Sequence, residues 1–284
     1  DKAVACHIPY VDKNVEMEHS TNATTLNAGW SWNIPLWESI GTGYVYSSQY
    51  LSENEAEQEF REYLINDRNV PHSREEIENI EMHHVPMRPG IHDKGWVKNV
   101  CAVGLANGFI EPLESNGLFS VHEFLIELVR NLRRDYITQW DKDNYTHTCK
   151  SLFYKFAEFV GMHYALSIRN DTEYWKANNK KQWEESLINL KPKMQVGYLY
   201  SAIDRNQEHR FQNDGGGLHY VAAGMNWAPT DLNNLMFHNH MNEKELERLF
   251  TPCIAFLEAR KKDWNYEAKT LTNYIDYMKE KIYT

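Results

Sequence analysis

The stretch from Trp96 to Leu132 constrains this chain more than any other. An apolar run, Trp96-Val97-Lys98-Asn99-Val100-Cys101-Ala102-Val103-Gly104, leads through Phe109-Ile110-Glu111-Pro112-Leu113-Glu114-Ser115-Asn116-Gly117 into an amphipathic segment. The change of period predicts strand, tight turn and helix. Such a junction aims free backbone N–H groups and the positive end of the helix dipole beyond the strand, where anions and phosphate-bearing groups bind. Glu114 stands at its mouth. A carboxylate at a helix start is more often a cap than a catalytic group, and the junction alone does not separate the two roles.

Around it the chain reads as a mixed first part and a helical second part, giving an α/β (mixed α+β) class. Residues 1 to about 50 alternate short apolar runs with Gly, Asn and Thr, as strands do. Ser52-Glu53-Asn54-Glu55 forms a capping box, followed by Ala56, Phe60, Tyr63 and Leu64 on one helical face. A further strand is expected from Ile77 to Val85. Beyond Glu114, Leu118, Val121, Leu125, Leu128, Val129 and Leu132 form one helical stripe, and Tyr145, Cys149, Leu152, Phe153, Phe156, Phe159 and Val160 another. Asp204 to Gly217 reads as a mobile glycine-rich loop. Asn242-Glu243-Lys244-Glu245 caps a last helical region, expected to be interrupted near Pro252. The domains expected are 1–132 and 133–284.

With 42% hydrophobic residues among 284, the chain can bury a sizeable core. Thirty basic against forty acidic residues, a formal charge of -10, argue against a nucleic-acid surface. The four cysteines lack C-x-x-C spacing, and the histidines His83, His84, His219, His238 and His240 lack a companion metal motif, so no metal is expected. No stretch approaches the ~20 apolar residues that span a bilayer, and no signal-peptide pattern opens the chain. The expectation is a cytoplasmic protein without nucleic-acid or membrane partners.

A second block sharpens the reading: Gly29-Trp30-Ser31-Trp32-Asn33-Ile34-Pro35, then Gly43-Tyr44-Val45-Tyr46-Ser47-Ser48. Alone these are aromatic-rich strands. In this order, with Trp96-x-x-Asn99-x-x-x-x-Gly104 and Phe109-x-Glu111-Pro112-Leu113-Glu114-Ser115-x-Gly117, the chain resembles the flavin-dependent halogenases. The likeness continues through Glu158–Tyr164 and Arg169–Trp175, to about Gly224. It implies part of a flavin monooxygenase-like FAD-binding fold followed by a mainly helical region. Two family features are missing: the G-x-G-x-x-G turn and an essential lysine, both from the family's N-terminal half. Gly215-Gly216-Gly217 lacks the strand-before, helix-after context. The expectation is a C-terminal portion of a longer protein, which alone binds FAD weakly.

The resemblance implies that reduced FAD and dioxygen oxidise a halide to a hypohalous species, which attacks an electron-rich aromatic carbon. A flavin reductase would supply the cofactor, and a small aromatic molecule of indole or phenol type would be the substrate. The backbone amides of Asn116 and Gly117 suit the halide, since such binding uses main-chain donors; the family more often has Thr where Asn116 stands. Glu114 matches the family carboxylate that orients the electrophile or takes the ring proton, and Ser115 supports that geometry. Pro112 and Gly117 would lie on the flavin side, and Trp30 and Trp32 would wall flavin from substrate; two tryptophans at i and i+2 are also ordinary core. His163 is expected at the substrate channel. Glu208, Phe211 and His219 stand near the family's substrate-clamping positions, but the tryptophan of the usual aromatic pair is absent, so free tryptophan is not the expected substrate. A related flavin monooxygenase and a non-catalytic remnant remain as alternatives.

Overall fold

The computed structural model describes residues 1–66, 71–133, 135–180, 221, 224–225 and 242–283. In chain order, the first elements are β1 (Lys2–Ile8), α1 (Lys13–Glu16), β2 (Asn22–Leu26), β3 (Gly29–Pro35), β4 (Ile40–Tyr46), α2 (Glu53–Asn66), α3 (Arg74–Glu78) and β5 (His83–Pro86). Four two-residue strands follow: β6 (Gly90–Ile91), β7 (Trp96–Val97), β8 (Val100–Cys101) and β9 (Gly108–Phe109). The remaining described helices are α4 (Asn116–Asn131), α5 (Gln139–Ala165), α6 (Glu173–Lys180), α7 (Glu243–Thr270) and α8 (Tyr274–Lys281). The mixed α/β class expected from the periodicities is the one that forms. No helix among the described residues is long and apolar enough to cross a membrane.

Two compact units contain these elements. One comprises Asp1–Ile8, Asn22–Asn33 and Gly41–Leu187, the other Pro9–Thr21, Ile34–Ile40 and Ile188–Thr284. In the second, Trp37 stacks on Tyr283 with ring centroids 4.4 Å apart, and the Lys13 ammonium lies 3.6 Å from the Trp37 ring centre.

The first unit is built around a five-stranded sheet of order β2-β3-β4-β1-β5. β2 and β3 form an antiparallel hairpin that places Trp30 opposite Thr25 and Trp32 opposite Ala23. Residues two apart on a strand share a face. Accordingly Trp30 joins Ala3, Val45, Val160, Tyr164 and Trp175 in a buried cluster, and Trp32 packs against it. Gly43 is required here, because a Cβ at that position would lie 2.2 Å from the Trp32 ring. The stripe of α2 is buried as its spacing predicts: Ala56, Phe60, Tyr63 and Leu64 all face the core. The Ser52 and Glu55 side chains close the expected capping box.

Four local expectations are corrected. The apolar run from Trp96 is a hairpin, not one strand: β7 and β8 pair with Trp96 opposite Cys101, and the chain reverses at Lys98, whose φ is 54°. Polar Lys98 and Asn99 are the turn inside what reads as one apolar run. From Ile77 to Val85 only His83–Pro86 is strand, because Ser73 and Glu76 cap a short helix first. α7 continues through Pro252, a residue that costs a helix ~3 kcal/mol without always ending it. The fourth concerns α4, whose apolar stripe is largely outward: Leu118, Leu125, Val129 and Leu132 are exposed, while Glu123, Phe124, Glu127 and Asn131 are buried. The buried face is polar because it is paired. Asn131 Nδ2 donates to Glu127 Oε1 at 3.1 Å, and Asn144 Nδ2 of α5 donates to the same oxygen at 3.2 Å. Satisfied in this way, buried polar groups avoid the desolvation cost of orphaned ones.

Candidate active site

The junction anticipated from the sequence is delivered by β9, which pairs with β6 and leads into the turn Glu111–Asn116. Pro112 sets φ at −75°, after which Glu114 (φ 69°, ψ 12°) and Ser115 (φ 53°, ψ 35°) both adopt left-handed conformations. The Ser115 N–H closes the turn on the Pro112 carbonyl at 2.8 Å. Each left-handed non-glycine residue costs on the order of 1–3 kcal/mol, so this shape persists only where its surroundings enforce it. Those surroundings are visible. Ile110 and Leu113 pack against the Trp30 cluster, and two successive residues of α5 grip the turn's two carboxylates. Tyr164 Oη donates to Glu111 at 2.7 and 2.9 Å, and His163 Nε2 lies 2.8 Å from Glu114 Oε1. His163 Nδ1 is in turn 3.1 Å from the Phe159 carbonyl of the preceding helical turn.

The two carboxylates sit in opposite electrostatic environments. Burial pushes Glu111 above the usual carboxylate range, with the Tyr164 hydroxyl pulling partly the other way. The His163 hydrogen bond holds Glu114 below that range, against a smaller desolvation effect. Glu114 is 38% exposed at its side chain and His163 17%. One carboxylate is therefore an internal tie, and the other is an ionised group with access to a ligand.

The start of α4 lacks a side-chain cap: Ser115 occupies the cap position in the left-handed region and makes no capping hydrogen bond. The Asn116 side chain turns back to the Leu113 carbonyl at 3.2 Å, leaving the first helical amides to other partners. At Gly117 a Cβ would meet nothing within 4 Å, so the space beside these amides is open. Uncapped N–H donors at the positive end of a 16-residue helix are a donor set that fits a small anion. Pro112 is exposed beside them.

Trp30 and Trp32 lie with ring centroids 6.1 Å apart, tilted at 57°, on the core side of this turn. Their hairpin is held by the Arg169–Trp175 segment. Trp175 Nε1 and Arg169 Nη1 both donate to the Leu26 carbonyl, at 2.8 and 3.1 Å, and Thr172 Oγ1 donates to that of Asn27 at 2.7 Å. The motif residues 169–175 thus act by fixing the end of β2 and the turn into the strand that carries the tryptophans. The structure brings Trp30, Trp32, Glu114 and His163 together in one unit; Glu208, Phe211 and His219 lie outside the described residues. Sequence reading missed Glu111 and Tyr164 as a pair. The available signal was their presence in the same two motif blocks as Glu114 and His163. Among the described residues, no group of three or more His, Cys, Asp and Glu side chains could hold a metal ion.

A family model described as tryptophan halogenase matches residues 1–240. Tryptophan 6-halogenase SttH of Streptomyces toxytricini is 35% identical over 187 residues, 66% of this chain and 34% of its own length. Tryptophan 7-halogenase RebH of Lentzea aerocolonigenes is 27% identical over 260 residues, 88% of this chain and 47% of its own length. The crystal structure of SttH superposes with a TM-score of 0.75 at 27% identity, covering 98% of this chain and 53% of that one. The chain spans about a third to a half of the length of these curated relatives.

Proposed function

This chain belongs to the tryptophan halogenase family, and from that premise we propose that it forms the halide-side and substrate-side portion of a flavin-dependent halogenase acting on an electron-rich arene of indole or phenol type. The observation that carries the reading is the pairing of Glu114 with His163 beside the uncapped start of α4. A halide would take the amides of Asn116 and Gly117, and Pro112 would face the flavin. Reduced FAD with dioxygen, when bound, supplies the oxidising power that converts halide to an electrophile. Every other task falls to the chain's own residues. Glu114 orients the electrophile by hydrogen bonding and accepts the proton the ring releases on rearomatising. Trp32, the less buried of the pair, would stand between flavin and arene with Trp30 packed behind it in the core, and Ser115 supplies the turn that aims Glu114. Residues 1–132 would provide the flavin and halide side and residues 133–284 the substrate side, to which Glu208, Phe211 and His219 belong by sequence position. A separate flavin reductase would deliver reduced FAD.

The test supplies reduced FAD, dioxygen and a simple indole, with and without bromide, to the protein in the longest reading frame that contains these 284 residues. Brominated product that appears only with bromide supports the reading. Oxygenated product independent of halide overturns it in favour of a monooxygenase.

A further inference from the structure

The His163 ring is held between two acceptors. The Phe159 carbonyl can only accept, so Nδ1 carries a proton toward it at 3.1 Å. On the other side, an ionised Glu114 Oε1 at 2.8 Å can also only accept. A neutral imidazole and a bare carboxylate would set two lone pairs against each other across that short contact, so the geometry requires one more proton on the Nε2 to Oε1 line. Among the described residues, other ionisable groups about the turn are Glu111 and the Tyr164 and Tyr174 hydroxyls beside it.

We propose that His163 is a positioning residue that shares one proton with Glu114, so that Oε1 is locked along α5 while Oε2 remains free to receive a proton. The role rests on the reading that Glu114 faces the arene. The step balances as follows: the arenium C–H bond breaks, its electron pair restores the ring, the proton joins Oε2, and the shared proton passes fully to Nε2. Glu114, partly exposed, then gives the Oε2 proton to water, and the shared proton returns to the line between Nε2 and Oε1. The left-handed backbone of Glu114 and Ser115 sets where the carboxylate leaves the chain, and the His163 contact sets where it points.

The contact is tested in the longest reading frame containing these residues, without flavin, halide or arene, by following the Glu114 carboxyl carbon by NMR across an acid titration, with Glu114→Gln giving the assignment. The wild-type midpoint should lie below the ordinary ~4.3. In His163→Phe it should rise by about one pH unit, and His163→Gln, which keeps a donor without the charge, should recover part of the difference. An unchanged midpoint in His163→Phe, or equal rises in both variants, overturns the proposal. Should His163→Phe fail to fold by circular dichroism, nitrogen-15 spectra of the wild-type ring decide: a protonated Nε2 facing ionised Glu114 supports it, and a bare Nε2 overturns it. A monooxygenase outcome in the bromide assay would remove the assigned chemistry without altering this titration, so the two readings fail separately.

Discussion

Replacing Tyr164 by Phe removes one hydroxyl from the core and nothing else, and the structure fixes what that hydroxyl does. It spans both oxygens of Glu111 at 2.7 and 2.9 Å, beneath the turn that carries Glu114. A hydrogen bond to a charged group contributes ~1.5–3 kcal/mol and one between neutral groups ~0.5–1.5. The cost of Tyr164→Phe therefore depends on whether Glu111 is ionised. Burial raises the folded-state pKa of Glu111 above its unfolded value, so its neutral form favours the fold: that stability is full below the unfolded value and is lost as pH rises through the folded one. Removing the hydroxyl, which pulls the pKa down, lifts it further and steepens the loss. The variant should cost ~0.5–1.5 kcal/mol near pH 4 and ~1.5–3 near pH 8. At ~2–4 °C per kcal/mol, the larger figure lowers Tm by roughly 3–12 °C. Tryptophan fluorescence follows the melt well, since the Trp175 ring stacks on Tyr164 at 6.1 Å. A pH-independent loss, or none above ~0.5 kcal/mol, would refute the assignment of Glu111 as a buried tie held by Tyr164.

Gly43→Ala should destabilise the first unit by ~1–3 kcal/mol in urea unfolding, because its methyl would overlap the Trp32 ring. Ser115→Gly should stabilise by ~1 kcal/mol or more, since glycine occupies the left-handed region without strain; a loss of stability would mean that the serine side chain does more than fill the turn. Trp175→Phe should cost ~0.5–1.5 kcal/mol for the lost hydrogen bond, readable as a lower urea midpoint, because Arg169 Nη1 still donates to the Leu26 carbonyl. Acid should weaken the Glu114 contact in the opposite sense to Glu111. A carboxylate with a lowered folded-state pKa contributes stability above its unfolded value and loses it as pH falls through the folded one, so Glu114→Gln should flatten the acid limb of the stability curve.

Local chemistry was legible wherever the sequence writes it locally. Ser52 with Glu55 and Asn242 with Glu245 mark the starts of α2 and α7, and both boxes form. The α5 stripe buries Tyr145, Cys149, Leu152, Phe156 and Val160 as its period predicts. What escaped are features decided by residues far apart. The polar inner face of α4 depends on Asn144, 17 residues beyond Glu127, and the grip on Glu114 comes from His163, 49 residues away. No period in either segment encodes such a partner. The left-handed Glu114 was equally hidden, because residue type points there to glycine or asparagine, and the packing of Ile110 and Leu113 with the grip of His163 and Tyr164 enforces it.

The central claim is that Glu114 acts on the arene after the halide has been oxidised. Its most direct test compares wild type with Glu114→Gln in the longest reading frame containing these residues, measuring flavin reoxidation and brominated product in the same reaction. The account predicts reoxidation close to wild type and halogenation reduced by ~10²-fold or more, as befits a group handling transition-state charge or a proton. Halogenation that survives nearly unchanged would contradict it and return Glu114 to the role of a structural contact for His163.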